Sequence, residues 1–221
     1  MIVDIHVHTK MGSSDSLIEA EELAGWAAQK GLGGVCITEH DCRYAQEVAQ
    51  LARGDGVLWI SGIEVRTNLG DILAFGLDGY RTEWADAEEL KRAAEKVGAL
   101  LVAAHPFRRD FSPVGYGGSL FFKPTITLGE ACRRPIFQLV DGMEVMNGGS
   151  TEDEVEFCFR VSERLGLLGL AGSDAHSLKT VGSCVTIFER PLKDEGDFLE
   201  ELQGGRFHVE DRRSQIFGTR G

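Results

Sequence analysis

The stretch EKVGALLVAAHP, residues 95–106, carries the plan of the fold in miniature. Glu95, Lys96 and Val97 end a run of helical spacing that begins near Ala87, opened by Asp86 with Glu89, and Gly98 is the residue type that ends such a helix. Leu100 to Ala104 is an unbroken apolar run of strand length, which suits a strand buried on both faces. His105 is delivered at its tip, and Pro106 stops further pairing. The same junction recurs at QKG (29–31) and ERLG (163–166), each followed by an apolar run. Repeated αβ junctions of this kind mark a βα-repeat architecture.

Working outward, strands are expected at Ile2 to His6, Val35 to Thr38, Leu58 to Val65, Ile72 to Leu77, Leu100 to Ala104, Met143 to Met146 and Leu167 to Ala171. Helices are expected over 17–30, about 43–53, 87–97 and between Ser150 and Leu165. Ser16 with Glu19 reads as a capping box for the first, and Gly31 and Gly166 as stop residues. Seven strands in this alternation suit a (β/α) barrel; an open doubly wound sheet is the alternative. Four of the five prolines fall between 106 and 135, so that stretch is either a lid or binding loop or an irregular surface excursion. His208 lies in a polar C-terminal tail and reads as a surface residue.

The 221 residues, 43% hydrophobic and 26% charged, suit one globular domain spanning 1–221. A net charge of −12 argues against stable binding to nucleic acid or anionic membrane, while leaving a small anionic substrate open. Five scattered cysteines without CxxC spacing read as reduced thiols in a cytoplasmic protein. The opening MIVDIHVH has neither a basic nor an apolar leader region, so no secretory signal is expected.

Five of the six histidines stand where an expected strand meets the next loop. The segments are DIHVHT (4–9), TEHD (38–41), GIEV (62–65), AHP (104–106) and SDAH (173–176). Loops after strand ends form the active face of barrel enzymes, so these residues would converge. His6 and His8, two apart on a strand, point the same way and could chelate one cation; the plainer reading is a pair of hydrogen-bonded core histidines. His40 joins them as a ligand, with Glu39 and Asp41 orienting it or capping the following helix. Glu64 lies between Ile63 and Val65, where a buried carboxylate needs a cation or strong donors. Asp174 and His176 repeat the two-apart spacing. Nitrogen and oxygen ligands without thiolate suit Zn²⁺, Mn²⁺ or Fe²⁺. Cys36, Cys158 and Cys184 read as packing residues.

In this order, HxH, TEHD, GIE, AHP and GSDAH resemble the PHP family, the polymerase and histidinol phosphatase superfamily, over residues 4 to about 176. The resemblance implies a distorted (β/α)7 barrel of PHP type that binds two or three divalent metal ions and hydrolyses phosphoesters. It assigns His6, His8, Glu64 and Asp174 to one metal, Glu64 and His105 to a second, and His40 and His176 to a third. Asp15 matches the position of a further ligand, with helix capping as its structural alternative. Asp71 departs from relatives that carry histidine there and is not assigned.

The expected activity is hydrolysis of a small phosphomonoester, a nucleotide or phosphorylated metabolite, by a metal-bound hydroxide. His176 or Asp41 would assist the leaving group. Arg108, Arg109, Lys10, Arg43 and Asn147 are candidate substrate contacts, because a guanidinium suits a phosphate and each lies near a ligand. Glu144 is a pocket-wall candidate or an outward strand residue. The alternatives are a 3′-5′ exonuclease or phosphodiesterase, a non-catalytic metal-binding regulatory domain, and an unrelated amidohydrolase barrel.

Overall fold

The computed structural model describes residues 1–41, 56–116 and 119–217. The helix expected over 43–53, with Cys42 and Arg43, lies outside the described residues.

Among the described residues the main sheet has nine strands in the order β11-β10-β1-β2-β3-β4-β5-β8-β9. These are β1 (Ile2–Val7), β2 (Gly34–His40), β3 (Leu58–Thr67), β4 (Gly70–Phe75), β5 (Leu100–Ala103), β8 (Gly142–Asn147), β9 (Leu168–Gly172), β10 (Cys184–Phe188) and β11 (Phe207–Asp211). A separate hairpin pairs β6 (Phe111–Tyr116) with β7 (Ser119–Pro124). Neighbours are parallel from β1 to β3 and from β5 to β9, whereas β4 is antiparallel to both β3 and β5.

Edge strand β9 curls back to β1, the third strand from the opposite edge. Just past β9, Ala175 bridges Val7 of β1: the His8 amide donates to Ala175 O at 3.0 Å, and the Ala175 amide donates to His6 O at 3.3 Å. Thr186 of β10 adds a clasp, its hydroxyl accepting from Ala171 N at 3.1 Å and donating to Ala171 O at 2.9 Å. The result is a mixed sheet nearly closed into a barrel, which favours the barrel over the open sheet.

Helices α1 (Ala20–Gln29), α2 (Ala87–Val97), α3 (Glu152–Leu165) and α4 (Glu195–Gln203) flank it. Leu23 and Ala27 of α1 share a cluster with Val35 and Ile37 of β2, while Leu90 of α2 and Phe157 and Val161 of α3 join a larger one with Ile63, Val65, Ile72, Met143 and Val145, in which α3 lies over β8. Alternate residues enter a different cluster, in which Ile5, Cys36, Ile60, Leu73, Phe75, Val102 and Leu170 meet Phe198 and Leu202 of α4. Side chains alternate along a strand. The face that carries Cys36 therefore presents Thr38 and His40 further along β2, and the face that carries Ile60 presents Gly62 and Glu64 on β3. On these two strands the apolar part builds the core and the C-terminal end builds the site, whereas antiparallel β4 brings Asp71 to the site from its start.

The helix signals held at α2 and α3. Asp86 accepts from the amides of Glu88 and Glu89, and Gly98 and Gly166 adopt φ of 73° and 67°. At α1 the stop signal held, Gly31 having φ 69°, but the capping box did not: the Ser16 hydroxyl donates to His8 O and accepts from Ile18 N. The helix starts at Ala20 without a side-chain cap. The stretch 106–135 is neither structureless nor irregular throughout. It contains the hairpin and a one-turn helix, Leu128–Ala131, with a true capping box of Thr127 and Glu130. Pro113 and Pro124 are tolerated because both hairpin strands are edges. The C-terminal segment is likewise not a tail but β10, α4 and β11, with His208 exposed on β11. No described helix is long and apolar enough to cross a membrane.

Candidate metal centre

His6 and His8 leave the end of β1 fully buried, and Glu64 on β3 is 3% exposed. Nε2 of His6 lies 3.5 Å from Glu64 Oε2 and 3.4 Å from Asp174 Oδ1; Nε2 of His8 lies 3.4 and 3.3 Å from the same two oxygens. These separations are long for hydrogen bonds. They match the edge of a ligand tetrahedron, which is about 3.4 Å for donors held about 2.1 Å from a cation. Nε2 of His6, His8 and His176 and Oε2 of Glu64 are buried without a hydrogen-bond partner. Orphaned polar atoms are costly, and here they converge. The donor set fits divalent metal ions.

Each ring is turned by an oxygen acceptor on its far side. Nδ1 of His6 donates to Glu144 Oε1 at 2.9 Å, and Nδ1 of His176 donates to Asp174 O at 3.0 Å. For His8 the acceptor is Ser13 Oγ at 3.1 Å, whose own proton goes to Glu39 Oε2 at 2.5 Å. Glu39, buried behind the site, also accepts from the amide and hydroxyl of Thr9 and so pins the loop after β1. With Nδ1 protonated, each Nε2 keeps a lone pair for a metal.

Glu64 is the junction. Its Oε1 lies 2.9 Å from His105 Nε2 and its Oε2 lies 2.8 Å from His40 Nδ1. Three groups of ligand-competent atoms result: His6, His8, Glu64 and Asp174; Glu64, Asp71 and His105; and His8, His40 and His176. Asp15 faces the third group, with Oδ2 3.6 Å from His40 Nε2 and 3.5 Å from His176 Nε2. Asp71, left unassigned from sequence, sits in the second. Asp15 is not a helix cap, since α1 begins five residues later.

Charge follows this packing. Burial alone would lower His6, but Glu144, Asp174 and Glu64 outweigh it and hold its pKa well above the usual histidine value. Burial, with the neighbouring His6 and His40, lowers His8 to about 4. Burial would raise Glu64 and Asp174, yet the surrounding cationic groups hold both carboxyls below their usual range.

Among the described residues, three non-glycines adopt left-handed backbone: Asp41 (φ 39°), His105 (φ 30°) and Asp174 (φ 52°). All three follow the C-terminal end of a strand at the site, where the fold imposes conformations that cost energy elsewhere.

The candidate substrate contacts scatter. Arg108 Nη2 donates to Asp174 Oδ2 and to Asn147 Oδ1, both at 2.6 Å. It lines a cavity of about 480 Å³ with Asp15, Asp174, His176 and Ser177. Arg109 is exposed and is not among the described residues lining that cavity. Lys10 turns outward to Glu19 at 2.6 Å. Asp41 accepts from the Arg66 amide at 2.9 Å. Glu144 is no outward residue: it lies under His6 and His105.

Residues 4–110 match the PHP domain and residues 157–207 the PHP-associated segment. The chain belongs to the PHP superfamily. An uncharacterized protein of Methanocaldococcus jannaschii is 29% identical over 158 residues, covering 66% of this chain and 82% of that protein. Three solved structures share the PHP chain's fold. PsfC from Pseudomonas syringae aligns with a TM-score of 0.65 at 20% identity, over 98% of this chain and 93% of its own. A candidate metal-dependent phosphoesterase from Bifidobacterium adolescentis aligns at 0.61 and 18%, over 90% and 95%. An amidohydrolase from Chromobacterium violaceum, solved with sulfate and without metal, aligns at 0.66 and 17%, over 95% and 98%.

Proposed function

We propose that this PHP protein is a metal-dependent phosphoesterase hydrolysing a small phosphomonoester. The seven strands from β1 to β9 that lead to the Val7–Ala175 bridge are read as the distorted (β/α)7 barrel of the family, within a single domain of residues 1–221. The observation that carries the reading is the convergence of three buried Nε2 atoms without hydrogen-bond partners, from His6, His8 and His176, on the carboxylates of Glu64, Asp174 and Asp15. Two or three divalent ions, Zn, Mn or Fe, would supply Lewis-acid activation of water near neutral pH and offset charge on the phosphoryl oxygens.

The chain's own residues do the rest. His6, His8, Glu64 and Asp174 would hold one ion. Glu64 and His105, with Asp71 beside them, would hold a second, and His40 and His176, with Asp15, a third. Arg108 stands at the cavity wall with a charged fork suited to a phosphate, and Asn147 steadies it. His176 Nδ1 donates a hydrogen bond to Asp174 O, which favours a ligand role for Nε2 over an acid role. Asp41 is then the remaining candidate to assist the leaving oxygen. The charge of −12 supports a small substrate over a nucleic-acid track, and the free thiols of Cys36, Cys132, Cys158 and Cys184 support a cytoplasmic setting.

The test is phosphate release from phosphorylated metabolites and nucleotides with Mn²⁺ or Zn²⁺ and with chelator. Metal-dependent release abolished by His6→Ala is expected. Protein that contains metal yet releases phosphate from no monoester would refute the monoesterase reading and direct the search to diesters.

A further inference from the structure

We propose that Glu144, which is in none of the three groups of ligand-competent atoms, is the positioning residue that sets the metal centre and links it to Arg108. The inference rests on reading His6 and His105 as metal ligands. Glu144 stands on β8 with 1% of its surface exposed. Its Oε1 accepts from His6 Nδ1 at 2.9 Å, and its Oε2 accepts from the His105 amide at 2.8 Å and from Asn147 Nδ2 at 2.9 Å.

All three partners are donors, and that decides the residue type. A carboxylate can accept three N–H groups; a glutamine has one acceptor oxygen and would aim its own N–H groups at donors. Each bond also has a separate consequence. The first holds His6 as the Nδ1–H tautomer, which leaves the Nε2 lone pair facing Glu64 and Asp174. The second anchors the His105 backbone in its left-handed conformation, φ 30°, and so aims the ring at Glu64. The third orients the Asn147 amide so that Oδ1 accepts from Arg108 Nη2 and from the Gly149 amide. One buried carboxylate thus ties a ligand on β1, a ligand after β5 and the guanidinium at the cavity wall. The close approach needs glycine at position 172, where a Cβ would lie 2.9 Å from Glu144 Oε1 and 2.5 Å from His6 Cβ.

The experiment measures Zn²⁺ affinity of the full chain by competition with a chromogenic chelator, for wild type and Glu144→Gln. Binding about 10- to 100-fold weaker is expected in the variant, the usual cost of losing a partner that orients a ligand. A second measurement uses Zn²⁺-loaded wild type: long-range ¹⁵N spectra of the histidine rings should show His6 protonated on Nδ1, with Nε2 free of a proton. This spectrum decides alone if the variant does not fold. Variant affinity within about twofold of wild type, or a His6 proton on Nε2, would overturn the proposal. Wild type that binds no Zn²⁺ would instead overturn the metal-site reading and the proposal with it.

Discussion

Replacing Gly172 by alanine adds a single methyl group where β9 passes β1. The new Cβ would sit 2.5 Å from His6 Cβ, 2.9 Å from Glu144 Oε1 and 3.1 Å from His6 N. Carbon atoms rest about 3.5–4.0 Å apart, so the overlap is about 1 Å or more. None of the atoms met is the loose end of a flexible side chain: two belong to a central strand and the third to a carboxylate held by three hydrogen bonds. Overpacking of this kind costs roughly 1–3 kcal/mol. Against it, alanine restricts the unfolded chain and returns about 0.4–1 kcal/mol. The clash wins, leaving a net loss of about 1–2 kcal/mol. For a domain of this size that is a melting temperature lower by roughly 2–8 °C. Gly25, inside α1, is the control, because a Cβ there would meet nothing within 4 Å. Gly25→Ala should stabilise by about 0.5–1 kcal/mol. Urea unfolding of chelator-treated protein, followed by circular dichroism, should therefore shift the two midpoints in opposite directions at unchanged slope. Midpoints that move the same way, or a Gly172→Ala protein as stable as wild type, would refute the packing argument.

Glu64→Gln should lose metal from both groups that share this carboxylate, checked by elemental analysis, and phosphate release should fall at least about 100-fold; full metal content would remove Glu64 from the centre. Arg108→Lys keeps the charge but loses the planar fork, so kcat/KM should fall about 10- to 100-fold with metal content unchanged; an unaltered kcat/KM would place the phosphate elsewhere. Glu201 accepts from Arg206 and Arg190, which hold its carboxyl down at about 2, below the ordinary 4.5. A depressed carboxyl stabilises the fold above its unfolded pKa and loses that contribution as pH falls through the folded value. Thermal melts of wild type should thus decline more steeply than those of Glu201→Gln between pH 4.5 and 2; parallel curves would show that these ion pairs do not drive the acid transition.

Much of the architecture was legible in short-range pattern. Apolar runs such as Leu100 to Ala104 report strands buried on both faces, and Gly98 and Gly166 report left-handed helix ends, because each depends on local sterics and periodicity alone. Strand alternation already put His6 with His8 on one face. The hairpin at 111–124 escaped because its prolines and glycines resemble a loop until the edge pairing is known. Ser16 with Glu19 carried a helix-cap signature, but the His8 carbonyl claimed the hydroxyl.

The competent ligands and their delivery at strand ends can be read from residue order alone. Which atoms meet follows only from the folded chain. Asp71 joins Glu64 and His105, Arg108 rather than Arg109 or Lys10 lines the cavity, and Glu144 turns inward beneath two histidines. These outcomes depend on the strand order and on the bridge between Val7 and Ala175, residues far apart in the chain. Periodicity tells a side chain which face to occupy, but its partner is set by the register of the neighbouring strands, which no local pattern encodes.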